Sequence, residues 1–408
     1  MAAELLARAT SNRHGVISAP VDIPRSAADL PGVHHASVAD LDTSSSLKSA
    51  GGGVGRTTAD ARIAATAEAL ERYAAGTAEL TIRPAHDIDE PVLTLDRWTL
   101  HAPSQQADPA FPDADAYPRE PGYTPVHATI DNRRCWVPAS LVALRRDYGA
   151  LATSSGLAAH FSPIVALLRA IQELVERDAY VTTWLHGLAG RRIDVASVQT
   201  EVAATAGRVA VYDLTPAFSP HPVACVAGSL PLRGRPRNSL GLACRSTWAD
   251  AVEKAFLEFA QGTLFVGHQL VRFPQLEDLL PATCTGFDHH AVYWTVHDAE
   301  WWQLPIHQAN DVSPPPPDSD ATTPARALHE LVTELETNGI RLFHRLLPTA
   351  GLDQIGLRVV RALSPDLVPL HHDHNWPFLG GTASDWRRRY PHGEPQTGFP
   401  SPHPHALG

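Results

Sequence analysis

The sequence has 408 residues and a formal net charge of −11, from 33 Lys and Arg against 44 Asp and Glu. Because 44% of its residues are hydrophobic and only 19% are charged, the chain is typical of a folded globular protein. The acidic balance argues against nucleic-acid binding, which depends on Lys and Arg. At roughly 150 residues per domain, the length allows one large domain or two ordinary ones.

Three further sequence features bear on the location of the protein. No stretch of 18 or more apolar residues occurs, so we expect no membrane span. The first residues, MAAELLARATSNRHG, lack the pattern of a secretory signal. The four cysteines are far apart and form no C-x-x-C pair, which argues against a disulfide framework and a cysteine zinc site; they are Cys135, Cys225, Cys244 and Cys284. These features predict a cytoplasmic protein.

Hydrophobic periodicity predicts three long helices in the first two thirds of the chain, at about 59–75, 162–185 and 248–265. An irregular Pro- and Asp-rich stretch at 101–125 separates the first two. Strand candidates lie between the second and third helices, at 208–214 and 223–229. Strands mixed with helices predict a mixed α/β fold.

The last part of the chain is marked by proline. Residues 311–325 contain four consecutive prolines and predict an exposed linker. An amphipathic helix follows at about 324–337, ended by Gly339, and a strand is expected at 340–347. The stretch from 391 to 408 holds five prolines, which exclude a helix or a central strand.

These signals give a domain division. We expect an N-terminal segment at 1–35, a main domain at 36–390 made of one or two lobes, and a proline-rich tail at 391–408.

An acidic pattern recurs on the three long helices. The first two each contain E-x-x-E-R, and the third contains the variant E-x-x-Q; the residues are Glu68, Glu71 and Arg72, then Glu173, Glu176 and Arg177, then Glu258 and Gln261. Residues three or four apart lie on one helical face. Carboxylates can hold Mg²⁺ and arginines can bind phosphates, so the pattern suits a magnesium–nucleotide site.

A solvated helix face is the better explanation of any single copy of this pattern, since Glu and Arg are common helix formers. Three copies in one chain weaken that alternative. Both E-x-x-E-R copies also lie in Ala- and Leu-rich helices that are expected to be buried, where carboxylates need partners.

A glycine-rich stretch, GGGVG at 51–55, precedes the first helix. A glycine loop that leads into a helix can bind phosphate through backbone N–H groups. The G-x-x-x-x-G-K-[ST] pattern is absent, so it is not a Walker A loop. A flexible turn is the simpler interpretation.

Together, these ordered motifs resemble the YcaO family, whose members modify peptide backbone amides with ATP. The resemblance spans about residues 35–404 and implies that the main domain at 36–390 is a YcaO-like catalytic domain. It includes GGGVG leading to EALERY, TSSGLAA leading to ELVERDA, VYDLTP, the stretch from 241 to the E-x-x-Q motif, and VVRALSPDLVPLHHDHNWPFLG at 359–380.

The resemblance implies which residues bind the cofactors ATP and Mg²⁺. The expected magnesium ligands are Glu68, Glu71, Glu173, Glu176 and Glu258. The expected nucleotide-binding residues are these five together with Arg72, Arg177, Lys254, Gln261, Gly53, Gly55 and Arg56. Glu71, Glu176 and Arg177 are the expected catalytic residues.

The tail suggests a subclass. PSPHP at 400–404 is a P-x-P-x-P sequence, which in azoline-forming relatives reaches the active site, so Pro404 is added to the catalytic set. Here His405-Ala406-Leu407-Gly408 follow it.

The sequence also departs from the family pattern: Val54 replaces a usual lysine, Ala64-Ala65 a usual serine, and Ser155 a usual asparagine. Because the acids are retained, this combination favours a divergent active enzyme.

The implied reaction is cyclodehydration. A Cys, Ser or Thr side chain of a ribosomally made precursor peptide attacks the preceding amide, ATP phosphorylates the resulting oxygen, and phosphate leaves to give a thiazoline or oxazoline. Positioning and charge stabilisation dominate such a phosphoryl transfer.

The resemblance also implies partners. The expected partners are the precursor peptide, a separate leader-binding protein resembling ubiquitin-activating enzymes, a dehydrogenase acting later, and a second copy in a homodimer.

Two alternatives remain open. A YcaO-type enzyme could use sulfide or an amine and form a thioamide or an amidine. A non-catalytic relative could instead act as a scaffold or activator, which Val54 and Ala64-Ala65 would favour.

The run His371-His372-Asp373-His374 matches no common zinc spacing and is interpreted as a polar loop.

Overall fold

The computed structural model describes residues 2–11, 15–26, 28–39, 50–112, 114–118, 120–149, 151–232, 235–272, 274–309, 312–315, 317 and 322–408. Its α-helices are α1 (Ala2–Ala7), α2 (Thr58–Thr77), α3 (Pro103–Gln106), α4 (Pro163–Leu185), α5 (Ala196–Ala203), α6 (Trp248–Arg272), α7 (Phe287–Val296), α8 (Asp298–Trp301), α9 (Pro324–Thr337) and α10 (Ala350–Gln354).

The strands form three sheets. They are β1 (Val21–Ile23), β2 (His34–Val38), β3 (Gly51–Gly55), β4 (Tyr123–Ala128), β5 (Arg134–Pro138), β6 (Leu157–His160), β7 (Arg191–Ile193), β8 (Arg208–Asp213), β9 (Val223–Leu232), β10 (Arg235–Cys244), β11 (Val312–Ser313), β12 (Phe343–Leu346) and β13 (Arg358–Leu363). The mixed α/β fold predicted from the sequence is confirmed.

The chain divides into two units, each built from separated segments. The first unit contains Met1–Pro24, His34–Leu174 and Thr322–Leu367. It holds a three-stranded antiparallel sheet of order β1-β2-β3 and a five-stranded antiparallel sheet of order β5-β4-β12-β13-β6. Its core includes the fully buried Trp136 and Leu70.

The second unit contains Arg25–Val33, Val175–Ala321 and Val368–Gly408. Its five-stranded sheet has the order β10-β9-β8-β7-β11, with antiparallel neighbours except for the parallel pair β7 and β11. The long helix α4 passes from the first unit into the second between Leu174 and Val175.

The glycines of β3 allow helix α2 to pack directly on the strand. A Cβ atom on Gly53 would lie 2.1 Å from the carbonyl oxygen of Ala61 and 2.3 Å from the nitrogen of Ala65. No side chain can occupy that space, so the strand needs glycine there. The predicted glycine loop or turn at 51–55 is therefore corrected to an antiparallel strand, whose residues pair with β2.

The second unit repeats this arrangement with β10 and α6. A Cβ on Gly241 would lie 2.0 Å from the carbonyl oxygen of Ala255 and 2.3 Å from the nitrogen of Phe259. Phe256 and Phe259 are fully buried on the same helix. Close packing of a helix on a strand thus fixes α2 in the first unit and α6 in the second, and both helices carry candidate acids.

Most element predictions are confirmed. The first two long helices and α9 lie within two residues of their expected bounds, and Gly339 adopts the left-handed φ of 71° after α9. Helix α6 extends to Arg272, beyond the predicted end at 265. Of the predicted linker at 311–325, residues 311, 316 and 318–321 lie outside the described residues.

Two boundaries bear on the domain prediction. The division between Ala321 and Thr322 falls inside the predicted linker, while the 1–35 segment is shared between both units. The tail from 391 contains neither helix nor strand. In the described part of the chain, no helix combines the length and apolar character needed to cross a membrane.

Candidate active site

The first E-x-x-E-R motif joins helix α2 to the glycine strand. Thr57 caps the helix by accepting a hydrogen bond from the Asp60 N–H. Glu68 Oε2 accepts a hydrogen bond from the N–H of Gly52 at 2.8 Å, and Glu68 Oε1 lies 2.6 Å from Arg72 Nη2. Arg72 Nη1 donates to the carbonyl oxygen of Ala50 at 2.7 Å. Glu68 and Arg72 therefore position the start of β3 as well as carrying charge.

Glu71, the second acid of this motif, lies where its ionised form is disfavoured. Burial raises the pKa of Glu71 well above its usual value, and the negative charges of Glu173 and then Glu68 raise it further. The positive charges of Arg72 and Arg361 act in the opposite direction. The first unit thus brings together three of the predicted carboxylates at a cost in electrostatic energy that a divalent cation would relieve.

Arg361, on β13, is a charged residue of this region that the sequence analysis missed. Only 1% of it is exposed, and it donates to three backbone carbonyls: Nε to Val142 at 2.9 Å, Nη1 to Ser155 at 2.6 Å and Nη2 to Thr153 at 2.9 Å. Burial lowers the pKa of Arg361 to about 10, while Glu173 and Glu71 oppose that shift. Its fixed positive charge partly balances the acids.

The second E-x-x-E-R motif supplies its last two residues to the second unit. Glu176 is 4% exposed, and its Oε2 accepts a hydrogen bond from the Cys244 N–H at 3.0 Å. Arg177 Nη2 lies 3.6 Å from Glu176 Oε1. The end of strand β10 therefore holds the Glu176 carboxylate in place.

Glu258 is surrounded by positive charge in the same unit. Lys254 Nζ lies 3.1 Å from Glu258 Oε1, one helical turn away on α6. Burial alone would raise the pKa of Glu258, but Lys254, Arg177 and Arg245 outweigh it and lower the pKa. Gln261 lies three residues further along the helix and is partly exposed.

The nucleotide-binding prediction for the glycine strand stays a prediction. Gly53 and Gly55 are buried against α2, and Arg56 is exposed directly after the strand. Val54 is 4% exposed, so the position where the resemblance leads us to expect a lysine is an apolar core position here.

The proline-rich tail is bound within the second unit. Trp184 Nε1 donates to the carbonyl oxygen of His403 and Trp294 Nε1 to that of Pro404, both at 2.8 Å. The Ala406 N–H donates to the hydroxyl of Tyr180 at 2.8 Å. Sequence reasoning missed these three aromatic residues; the four-residue spacing of Tyr180 and Trp184 on α4 was the available signal.

The histidine run is a loop, as predicted, but one of its members is in the core. His371 is 4% exposed and accepts, through its carbonyl oxygen, a hydrogen bond from His405 Nε2 at 2.8 Å. His290 stacks on His405 nearby. Across the residues the structure describes, no three His, Cys, Asp or Glu side chains are arranged to hold a metal ion by themselves.

This finding is compatible with magnesium. Mg²⁺ usually keeps several waters and binds through one or two carboxylates plus the phosphates of a nucleotide, without a cage made entirely of protein. The chemistry of the donor set fits the ion, because the negative charges of Glu173 and Glu68 both act on the Glu71 carboxylate and a cation would offset them. The assignment of individual ligands remains a prediction.

Comparison with known proteins identifies one family. The model of the family described as YcaO cyclodehydratase, ATP- and Mg²⁺-binding, matches residues 52–368. A comparison with curated proteins gave no match.

Several solved structures share the fold. A heterocyclase in complex with substrate and cofactor is 18% identical with a TM-score of 0.76, and the match covers 95% of this chain and 54% of that one. YcaO from Methanopyrus kandleri, bound with AMPPCP and Mg²⁺, is 18% identical with a TM-score of 0.67, and the match covers 90% of this chain and 91% of that one. A chain of the E. coli microcin synthetase McbBCD complex is 14% identical with a TM-score of 0.61, and the match covers 85% of this chain and 88% of that one. The chain spans about half the length of the first of these.

Proposed function

Because the family model covers well over half of it, this chain belongs to the YcaO family, and we propose that it is an ATP-dependent cyclodehydratase of peptide backbones. ATP and Mg²⁺ are the cofactors of the family. The proposed product is a thiazoline or oxazoline ring, formed from Cys, Ser or Thr in a ribosomally made precursor peptide.

One observation carries the proposal. In the first unit Glu71 lies beside Glu173 and Glu68, and burial first and then these two negative charges raise the pKa of Glu71 well above its usual value. A chain without a use for a cation would gain stability by losing such a carboxylate, because buried like charges are destabilising.

The residues divide by charge into two roles. Glu68, Glu71 and Glu173 in the first unit would hold Mg²⁺, as would Glu176 and Glu258 in the second. Arg177 and Lys254 would contact phosphate oxygens, for which cationic side chains are the usual partners. ATP, when bound, would supply the phosphoryl group that turns the amide oxygen into a leaving group.

Substrate and partner are proposed from the chemistry of the relatives. The microcin synthetase structure is a complex of several proteins, and a second structure of it contains the bound peptide pro-MccB17. We propose by analogy that this chain activates the backbone while a separate protein binds the leader peptide. The homodimer and the later dehydrogenase remain predictions.

Calorimetric titration of the full chain with AMPPCP in the presence of Mg²⁺ tests the nucleotide site. We expect the wild-type chain to bind and Glu71→Gln and Glu176→Gln to lose at least 10-fold in affinity, since each loses a carboxylate charge. Glu330→Gln is the control, because Glu330 is exposed on α9 and pairs only with Arg326 in the described contacts. Absence of wild-type binding, alone and with a co-purified partner, would contradict the proposal.

Mass spectrometry of a candidate precursor peptide, incubated with ATP and the co-purified partner, tests the reaction. Azoline formation removes one water per ring, whereas replacement of oxygen by sulfur adds mass. The first result supports cyclodehydration and the second the thioamide alternative.

A non-catalytic scaffold is the second candidate, and the burial of Val54 favours it. The apolar side chain sits where the family usually has a lysine, so one positive charge is absent from the glycine strand. This candidate predicts that Glu71→Gln and Glu176→Gln leave the function of the assembled complex unchanged.

A further inference from the structure

The end of strand β10 carries an arginine to which the sequence analysis assigned no role. Arg245 follows Cys244, and its Nη1 donates a hydrogen bond to the Cys244 carbonyl oxygen at 2.6 Å. The N–H of the same Cys244 donates to Glu176 Oε2 at 3.0 Å. The Arg245 guanidinium and the Glu176 carboxylate are therefore both bonded to the backbone of one residue.

Cationic side chains outnumber carboxylates among the charged residues that are described as acting on Glu258 or Glu176. In the second unit, Glu176 and Glu258 are accompanied by three cationic side chains, Arg177, Lys254 and Arg245. All three cations act on Glu258. This group of five residues therefore has one more positive than negative charge, which favours an anion such as a phosphate.

Arg245 differs from a structural arginine of the same unit. Arg237 is 2% exposed and donates to Asp29, to the carbonyl of Thr263 and to that of Ala28. Arg245 is partly exposed, and its single described side-chain hydrogen bond goes to the residue beside it. A guanidinium has five N–H donors, so most of them are available to a ligand without breaking a long-range contact.

We propose that Arg245 binds a phosphate group of the nucleotide, as a third cationic side chain beside Arg177 and Lys254. The proposal rests on the proposed function, since it assumes that the chain binds Mg²⁺ and ATP. An arginine suits this position because its planar guanidinium can donate two parallel hydrogen bonds to phosphate oxygens, which an ammonium group cannot do.

Calorimetry of the full chain with Mg²⁺ and AMPPCP tests the inference, using Arg245→Gln, Arg245→Lys and the control Arg387→Gln. The control removes the same charge from an exposed position whose guanidinium lies over Trp386. We expect Arg245→Gln to weaken binding by at least 10-fold and Arg245→Lys by less, with the control within 2-fold of wild type. The affinity of Arg245→Gln should also depend less on salt concentration, because one ion pair with the nucleotide is lost.

Thermal unfolding of the same variants distinguishes a direct contact between Arg245 and phosphate from a role of Arg245 in folding. A purely structural role predicts that Arg245→Gln and Arg245→Lys lose affinity equally and in step with their melting temperatures. That result, or wild-type affinity in Arg245→Gln, would overturn the assignment while leaving the proposed function intact. If the wild-type chain binds no AMPPCP with Mg²⁺, the proposed function and this assignment both fail.

Discussion

The imidazole ring of His290 in α7 stacks on that of His405 in the tail, with the ring centroids 3.7 Å apart and the planes 9° from parallel. His290 Nδ1 also donates a hydrogen bond to the His405 carbonyl oxygen at 2.9 Å. Both side chains are almost fully buried. The tail is thus held by a pair of neutral rings, which protonation would force apart.

Acid should therefore destabilise the protein through this pair. Burial lowers the pKa of His290 to about 4 from the usual 6.5, and burial also lowers that of His405. A lowered histidine pKa means that the unfolded chain takes up a proton first, so stability is full above about pH 6.5 and falls as the pH drops towards 4. For His290 alone, we expect a loss of about 2 kcal/mol between pH 7.5 and pH 5.

Urea unfolding at these two pH values measures the effect. His290→Gln should reduce the difference in unfolding free energy between pH 7.5 and pH 5, whereas His86→Gln, at an exposed position, should leave it unchanged. An equal pH dependence in wild type and His290→Gln would contradict this account.

Replacing Arg361 should strongly destabilise the first unit. Arg361→Gln would remove hydrogen bonds to three backbone carbonyls and a positive charge near Glu71 and Glu173. Since removing one member of a buried charged group leaves the others uncompensated, we expect a loss of roughly 3 kcal/mol or more in unfolding free energy.

Thermal unfolding of Arg361→Gln measures this loss, and Arg345→Gln is the matched control. Arg345 pairs directly with Arg361 across β12 and β13, but it bonds to Thr124 and Pro125 and is only partly buried. Equal losses in the two variants would show that the acids near Arg361 contribute nothing to its importance.

An alanine at position 53 should disrupt the packing of α2 on β3. The added Cβ would lie 2.1 Å from the Ala61 carbonyl oxygen, so backbone would have to move, at an expected cost of about 2–3 kcal/mol. In Gly286→Ala the new Cβ meets no atom within 4 Å. In thermal unfolding, the melting temperature of Gly53→Ala should therefore be well below that of Gly286→Ala. Similar melting temperatures would argue against close packing as the reason for glycine at position 53.

Hydrogen exchange tests whether the tail is bound as described. Trp184→Phe and Trp294→Phe each remove one N–H donor to the tail, so amide exchange at 400–407 should accelerate about 5-fold in either variant. Trp98→Phe is the control, because the buried Trp98 indole N–H makes no described hydrogen bond. Unchanged exchange in both tail variants would mean that these bonds do not hold the tail.

Much of the fold followed from local signals. The bounds of α2, α4 and α9 were predictable because apolar residues repeat with helical spacing, and Gly339 marks the end of α9. The glycine stretch at 51–55 was harder to interpret. A run of glycines has no local signature that separates a turn from a strand, and only the approach of α2 gives it a single conformation.

The candidate site divides in the same way. The sequence by itself determined which carboxylates the helices carry, since E-x-x-E spacing places both acids on one helical face whatever the surroundings. Tertiary structure alone decided that Arg361 lies near Glu71 and that Cys244 holds Glu176 and Arg245. These partners are far apart in sequence or linked through backbone atoms, and burial and charge act through space, so no pattern along the chain could reveal them.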